Sequence, residues 1–115
     1  MSLDREKYQK FASLLQGLHS DVTEEKLDAI TLRGRIVELQ QFFGQQIVPD
    51  AENDISTQSD SREQSYRTEM SKQLRLLEID VMFLQGARQV STAQTRVNTI
   101  KERLTTLIRY CEAVL

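Results

Sequence analysis

Eight of the eleven residues from 74 to 84 are apolar: Leu74, Leu76, Leu77, Ile79, Val81, Met82, Phe83 and Leu84. The flanking Glu69, Met70, Lys72, Gln73 and Gln85 favour helix. At 100° per residue the eight side chains fall on nearly every side of that helix, with Arg75, Glu78 and Asp80 scattered between them. A helix apolar all round sits at the centre of a bundle or in a subunit interface. The run is therefore expected to be the most buried helix of the chain. It is too short to cross a membrane, which needs ~20 apolar residues.

The other periodic stretches supply helices to cover it. Tyr8, Phe11, Leu15, Leu18 and Val22 recur at intervals of 3 and 4, and Leu14 widens that face. Glu6 and Lys10 are spaced as a helical ion pair. A second stripe runs Leu32, Ile36, Leu39 and Phe43, broadened by Leu27, Ile30, Val37, Phe42 and Ile47. Gly34 in this stripe allows a close helix approach or is simply a weak spot. Pro49 ends the stripe, because a residue before proline is disfavoured in the α region. Asp21 with Glu24 fits a capping box for the second helix. A break near 19–23 is expected, since it gives pieces closer in length to the later helices. The alternative is one continuous helix from 3 to about 46, because the 3-4 pattern is interrupted only at Glu25.

Residues 50–63 form an acidic linker. Five acids (Asp50, Glu52, Asp54, Asp60, Glu63) stand against Arg62, with almost no core residue among them. A flexible loop at about 50–60 follows. Asp60 with Glu63 and Ser91 with Gln94 make two further capping boxes. Gly86 is placed to end the third helix in the left-handed conformation. The last helix carries an unbroken seam: Val90, Ala93, Val97, Ile100, Leu104, Leu107, Cys111 and Val114. The expected fold is all-α: one domain over 1–115, a four-helix bundle of two antiparallel hairpins with helices at 3–19, 22–48, 61–86 and 91–114.

Composition narrows function by exclusion. A net charge of -2 and a pI near 5.4 give no bulk attraction for nucleic acid or acidic lipid. One His and one Cys leave no metal or catalytic constellation to build, so no metal, cofactor or enzyme activity is expected. His19 lacks the Lys-Gly that follows a phospho-accepting histidine, and reads as a solvated residue at a helix end. Cys111 lies on the seam and reads as a buried structural thiol. The opening residues are charged and form no signal peptide, so a cytoplasmic protein without a membrane span is expected. Residues 65–115 hold eight bases and five acids, which reads as a solvated surface or, more sharply, as a basic docking face.

Asp80, among Ile79, Val81 and Phe83, needs a partner if buried. Arg109 or Arg33 could supply one; otherwise Asp80 marks the wet edge of its helix. Met82 and Phe83 cannot both face one core, so one of them reaches the surface. Arg75, Met82, Phe83 and Arg88 are the candidate partner-binding residues, on a helical face turned to a protein.

The run Ser65-Tyr66-Arg67-Thr68-Glu69, then Lys72-Gln73-Leu74-Arg75-Leu76-Leu77, Asp80-Val81-Met82-Phe83-Leu84-Gln85, Ala87-Arg88-Gln89 and Leu107-Ile108-Arg109-Tyr110-Cys111-Glu112 resembles the cyanobacterial PatD family, the heterocyst frequency control proteins. Val37-Glu38-Leu39-Gln40-Gln41-Phe42-Phe43 fits as well. The resemblance covers about two thirds of the chain, mainly 65–115, and carries no catalytic signature. It implies a small cytoplasmic regulator without enzymatic activity. It also implies a role in how often cells become heterocysts, and the cell-division protein FtsZ as partner. The alternative from the wide apolar faces is a self-assembling coiled-coil adaptor, covered by homodimerisation.

Overall fold

A computed structural model describes residues 2–48 and 61–115. It is a four-helix bundle: α1 (Ser2–Thr23), α2 (Ala29–Phe42, continued by a π-helical turn over Phe43–Ile47), α3 (Ser61–Gly86) and α4 (Val90–Val114). The acidic linker expected at 50–60, with Pro49 and the capping residue Asp60, lies outside the described residues.

Side-chain partners give the directions of the helices. Asp21 on α1 meets Arg35 on α2, while Phe11 meets Phe42, so those helices are antiparallel. Arg5 reaches Leu115 and His19 reaches Thr105, so α1 and α4 are antiparallel too. Tyr66 with Tyr110 and Asp80 with Arg96 set the same relation for α3 and α4. Contacts are densest between α1 and α4, between α3 and α4, and between α2 and α3; α1 and α2 touch more sparingly. The result is a rod of 52 × 20 × 20 Å, two helices across in each short direction.

One apolar stripe from each helix meets on the axis. Phe11, Leu15 and Leu18 face Ile36 and Leu39, with Met70, Leu77, Val81, Ile100, Leu104 and Leu107 closing the centre. Phe42 stacks on Phe11 at 6.0 Å, and Phe43 tilts against the same ring at 5.7 Å. Lys10 does not need Glu6 for a neighbour: its ammonium lies 5.8 Å from the Phe42 ring centre. Glu63 and Arg67 do pair at helical spacing, 2.8 Å apart.

Several expectations are corrected. α3 is not encircled. It buries Met70, Leu74, Leu77, Asp80 and Val81 on one side and turns Ile79, Met82 and Phe83 to solvent, while α1 buries more of its apolar residues. Three neighbours cannot surround a fourth helix of equal rank in a square bundle, so each helix keeps an outward face. Leu14, Ile30 and Val37 likewise point outward, and Val90, read as the start of the α4 seam, is 86% exposed.

The break between α1 and α2 falls at 24–28, later than expected. Asp21 and Glu24 do not cap α2. The cap is Asp28, whose carboxylate accepts the Thr31 N–H at 2.7 Å, a bond that holds its carboxyl below the usual range. α1 ends in a left-handed cap: Glu25 takes φ 58°, Lys26 N–H donates to the Asp21 carbonyl and Glu25 N–H to that of Val22. Gly86, in contrast, closes α3 without a positive φ. Ser91 lies inside α4, whose N-cap is Gln89. A Cβ at Gly34 would meet open space, so that glycine is a weak spot and not a point of close approach.

Two buried groups make the core sensitive to alkali. Burial pushes the Cys111 thiol up to about 12, with Glu112 adding to it. Burial also raises the Tyr8 hydroxyl to about 12, opposed by a hydrogen bond from Arg67, while the hydroxyl donates to Glu63 at 3.3 Å. Both groups ionise more readily when unfolded. Their contribution is complete below the unfolded values and is lost as pH rises toward 12. The urea midpoint is therefore expected to fall steadily above pH 9, and more shallowly in Cys111→Ala.

Glu25 gives a second test. A non-glycine residue in the left-handed region is strained by ~1–2 kcal/mol, against which glycine adds ~0.4–1 kcal/mol of unfolded-state entropy. Glu25→Gly should raise stability by about 0.5–1 kcal/mol, read as an upward shift of the urea midpoint.

Candidate functional site

The most constrained polar group is Asp80. It is 2% exposed, on the side of α3 that faces α4. Its partners are neither Arg109 nor Arg33, and it is not a wet edge. Arg96 Nη1 donates to Oδ1 at 2.9 Å and Arg103 Nε donates to Oδ2. Arg103 also reaches Gln73 Oε1 at 3.5 Å. Arg96 and Arg103 are seven residues apart, two turns on one side of α4, so their side chains converge on one carboxylate from above and below.

This cluster belongs to a ladder. Tyr66 lies against Tyr110 with ring centres 5.5 Å apart; Gln73 meets Arg103; Asp80 meets Arg96. The rungs step by seven along α3 and by seven in reverse along α4, as flanking positions of antiparallel heptads do. A slip of either helix by one turn would carry Asp80 toward one guanidinium and away from the other, leaving one carboxylate oxygen without its donor. The buried charge therefore specifies register, the best-attested use of such groups.

The ladder continues to the surface. The Arg96 guanidinium carbon lies 4.7 Å from the centre of the Phe83 ring, in cation–π contact. Phe83 is 59% exposed and Met82 55%. Both reach solvent, where only one was expected to. Arg75, Ile79 and Met82 stand at i, i+4 and i+7 and share the outward face of α3, with Phe83 at the edge nearest α4. Arg75 also borders a shallow groove against α2, with Gln40, Phe43 and Glu78. Arg88 is exposed in the 87–89 connection. The structure thus brings Arg75, Met82 and Phe83 onto one face and sets Arg88 just beyond its end.

Residues that the sequence reading placed in the core join them. Ile79 is exposed on the same face, Ile30 is 76% exposed at the start of α2, and Val90 opens α4. All three lie at the end of the rod that carries the two short connections. Their apolar character is visible in the sequence; their exposure is not, and for Ile79 it follows from its place on the outward face of α3. Three of the bases in 65–115 (Arg67, Arg96 and Arg103) are engaged by Glu63 and Asp80, which shrinks the basic face considerably.

The family model described as the CRR41 C-terminal domain matches residues 9–112. The chain belongs to that family. No curated protein and no solved structure matches it. The family match spans most of α1 and the whole of α2 and α3, and runs to within the last turn of α4, so it includes the Asp80 ladder and every residue of the outward α3 face.

Two further groups were singled out by sequence. Cys111 is fully buried, and its raised pKa leaves the thiol protonated at neutral pH. His19 is not at a helix end; its Nε2 sits 3.2 Å from the Thr105 hydroxyl, across the α1–α4 contact. Among the described residues no group of three or more His, Cys, Asp or Glu is placed to hold a metal ion. No helix among them is long and apolar enough to cross a membrane.

Removing the Asp80 carboxylate leaves two guanidinium groups without their shared acceptor. Asp80→Ala should cost about 3 kcal/mol in urea unfolding, the lower end for a broken buried pair because both arginines still reach water.

Proposed function

We propose that this protein is a non-enzymatic regulator that acts by docking the outward face of α3 on a partner protein. The observation that supports the reading is the exposure of Phe83 and Met82 beside Ile79, with Ile30 and Val90 at the same end of the rod. Scattered apolar residues on a surface need no explanation, but large ones gathered at one end mark interaction sites. Aromatic and methionine side chains are also the residues enriched at the centres of interfaces. Arg75 and Arg88 stand at the margins, where charge steers a partner more than it holds it.

The resemblance to the PatD family supplies the candidate partner and setting: FtsZ, and the frequency with which cyanobacterial cells differentiate into heterocysts. A cytoplasmic location follows from the same reading. If instead a second copy of the chain covers the α3 face, the protein is a self-assembling adaptor, and sedimentation of the pure protein at rising concentration shows a dimer.

Co-sedimentation with GTP-assembled FtsZ filaments tests the leading reading. The wild-type chain should pellet with filaments, and Met82→Ser with Phe83→Ser should weaken that binding at least tenfold while leaving the helical circular dichroism unchanged. A wild-type chain that stays in the supernatant at every filament concentration removes FtsZ as the partner.

A further inference from the structure

Phe83 is an exposed aromatic ring, yet it is not a free one. Arg96 crosses from α4, and its guanidinium binds the buried Asp80 on one side and covers the Phe83 ring on the other. Asp80 and Phe83 stand three residues apart on α3, so one guanidinium spans both. The carboxylate in turn cannot rotate away, because Arg103 occupies its second oxygen. A chain of contacts therefore runs from a fully enclosed charge to the most exposed aromatic side chain of the described residues.

We infer that Asp80, acting through Arg96, is a positioning device that holds Phe83 in one outward rotamer, ready for docking. The inference rests on the docking reading above and adds to it the residues that set affinity without touching the partner. An unrestrained surface phenylalanine samples several rotamers and loses that freedom on association. A ring already held loses less, so the complex forms more tightly with no added contact. The flat guanidinium suits the device: it bonds a carboxylate at its edge while its face lies along an aromatic ring, a broad stacking surface that a compact lysine ammonium lacks.

The test separates the device from the partner. In the free protein, three-bond couplings of the Phe83 side chain should report a single χ1 rotamer for wild type. Arg96→Lys keeps a cation for Asp80 but loses the flat surface, and its couplings should move toward averaged values. Arg103→Lys keeps a cation on the other oxygen, away from the ring, and should leave them unchanged. Unchanged couplings in Arg96→Lys would overturn the inference, as would equal averaging in Arg103→Lys, which would signal general loosening. Binding to FtsZ filaments supplies the second arm. Arg96→Lys should weaken it roughly three- to tenfold, the scale of one newly immobilised side chain. Weakening by Phe83→Ala but none by Arg96→Lys overturns the inference and leaves the docking reading in place. If wild type itself fails to bind filaments, that partner is lost and the couplings alone decide whether Arg96 positions the ring.

Discussion

A carboxylate buried between two helices is a demanding guest. Asp80 is enclosed almost completely, so it is tolerable only where both of its oxygens find donors, and only one alignment of α3 against α4 provides Arg96 and Arg103 together. Apolar packing alone would discriminate less sharply between neighbouring alignments, because a core of aliphatic side chains loses uniqueness before it loses stability. The ion cluster and the tyrosine pair at Tyr66 and Tyr110 remove that latitude over most of the hairpin's length. Its contribution is to uniqueness more than to stability.

With that hairpin aligned, the other two helices have defined seats. α1 lies chiefly on α4 and α2 chiefly on α3. Phe11 fills the space between them by meeting both Phe42 and Phe43. The π-helical turn beginning at Phe43 widens the helix where these rings crowd together. Each helix then has a wet side. On α1, α2 and α4 that side is largely polar, whereas on α3 it carries Ile79, Met82 and Phe83. An apolar surplus on one helix, too large for the core to absorb, is what leaves this molecule with a sticky flank.

Most helix limits were legible because they depend on local chemistry. The periodic stripes of α3 and α4 end where loop residues begin, and their observed spans follow the sequence reading closely. The α1–α2 break was read too early, because Asp21 and Glu24 look like a cap and the residue that does turn the chain, Glu25, is not the glycine such a turn favours. The all-round apolar character of 74–84 suggested a central helix, but a local pattern cannot tell burial by neighbours from exposure to a partner. Arg75, Met82, Phe83 and Arg88 were recoverable as surface candidates on that same ambiguity. The partners of Asp80 were not, although Tyr66, Gln73 and Asp80 share a spacing of seven with Arg96, Arg103 and Tyr110. Matching the two series needs the relative height of the helices, which no single stretch encodes.

Arg5 Nη1 donates to the carbonyl oxygen of Leu115 at 2.8 Å, so both extremities of the described chain meet at one pole, the pole away from the short connections. The helices consequently form a closed cycle of neighbours in which no member is terminal in space. Such an arrangement is largely indifferent to where the backbone is opened: stitching the two extremities together and cutting at 24–28 would leave the same four rods side by side.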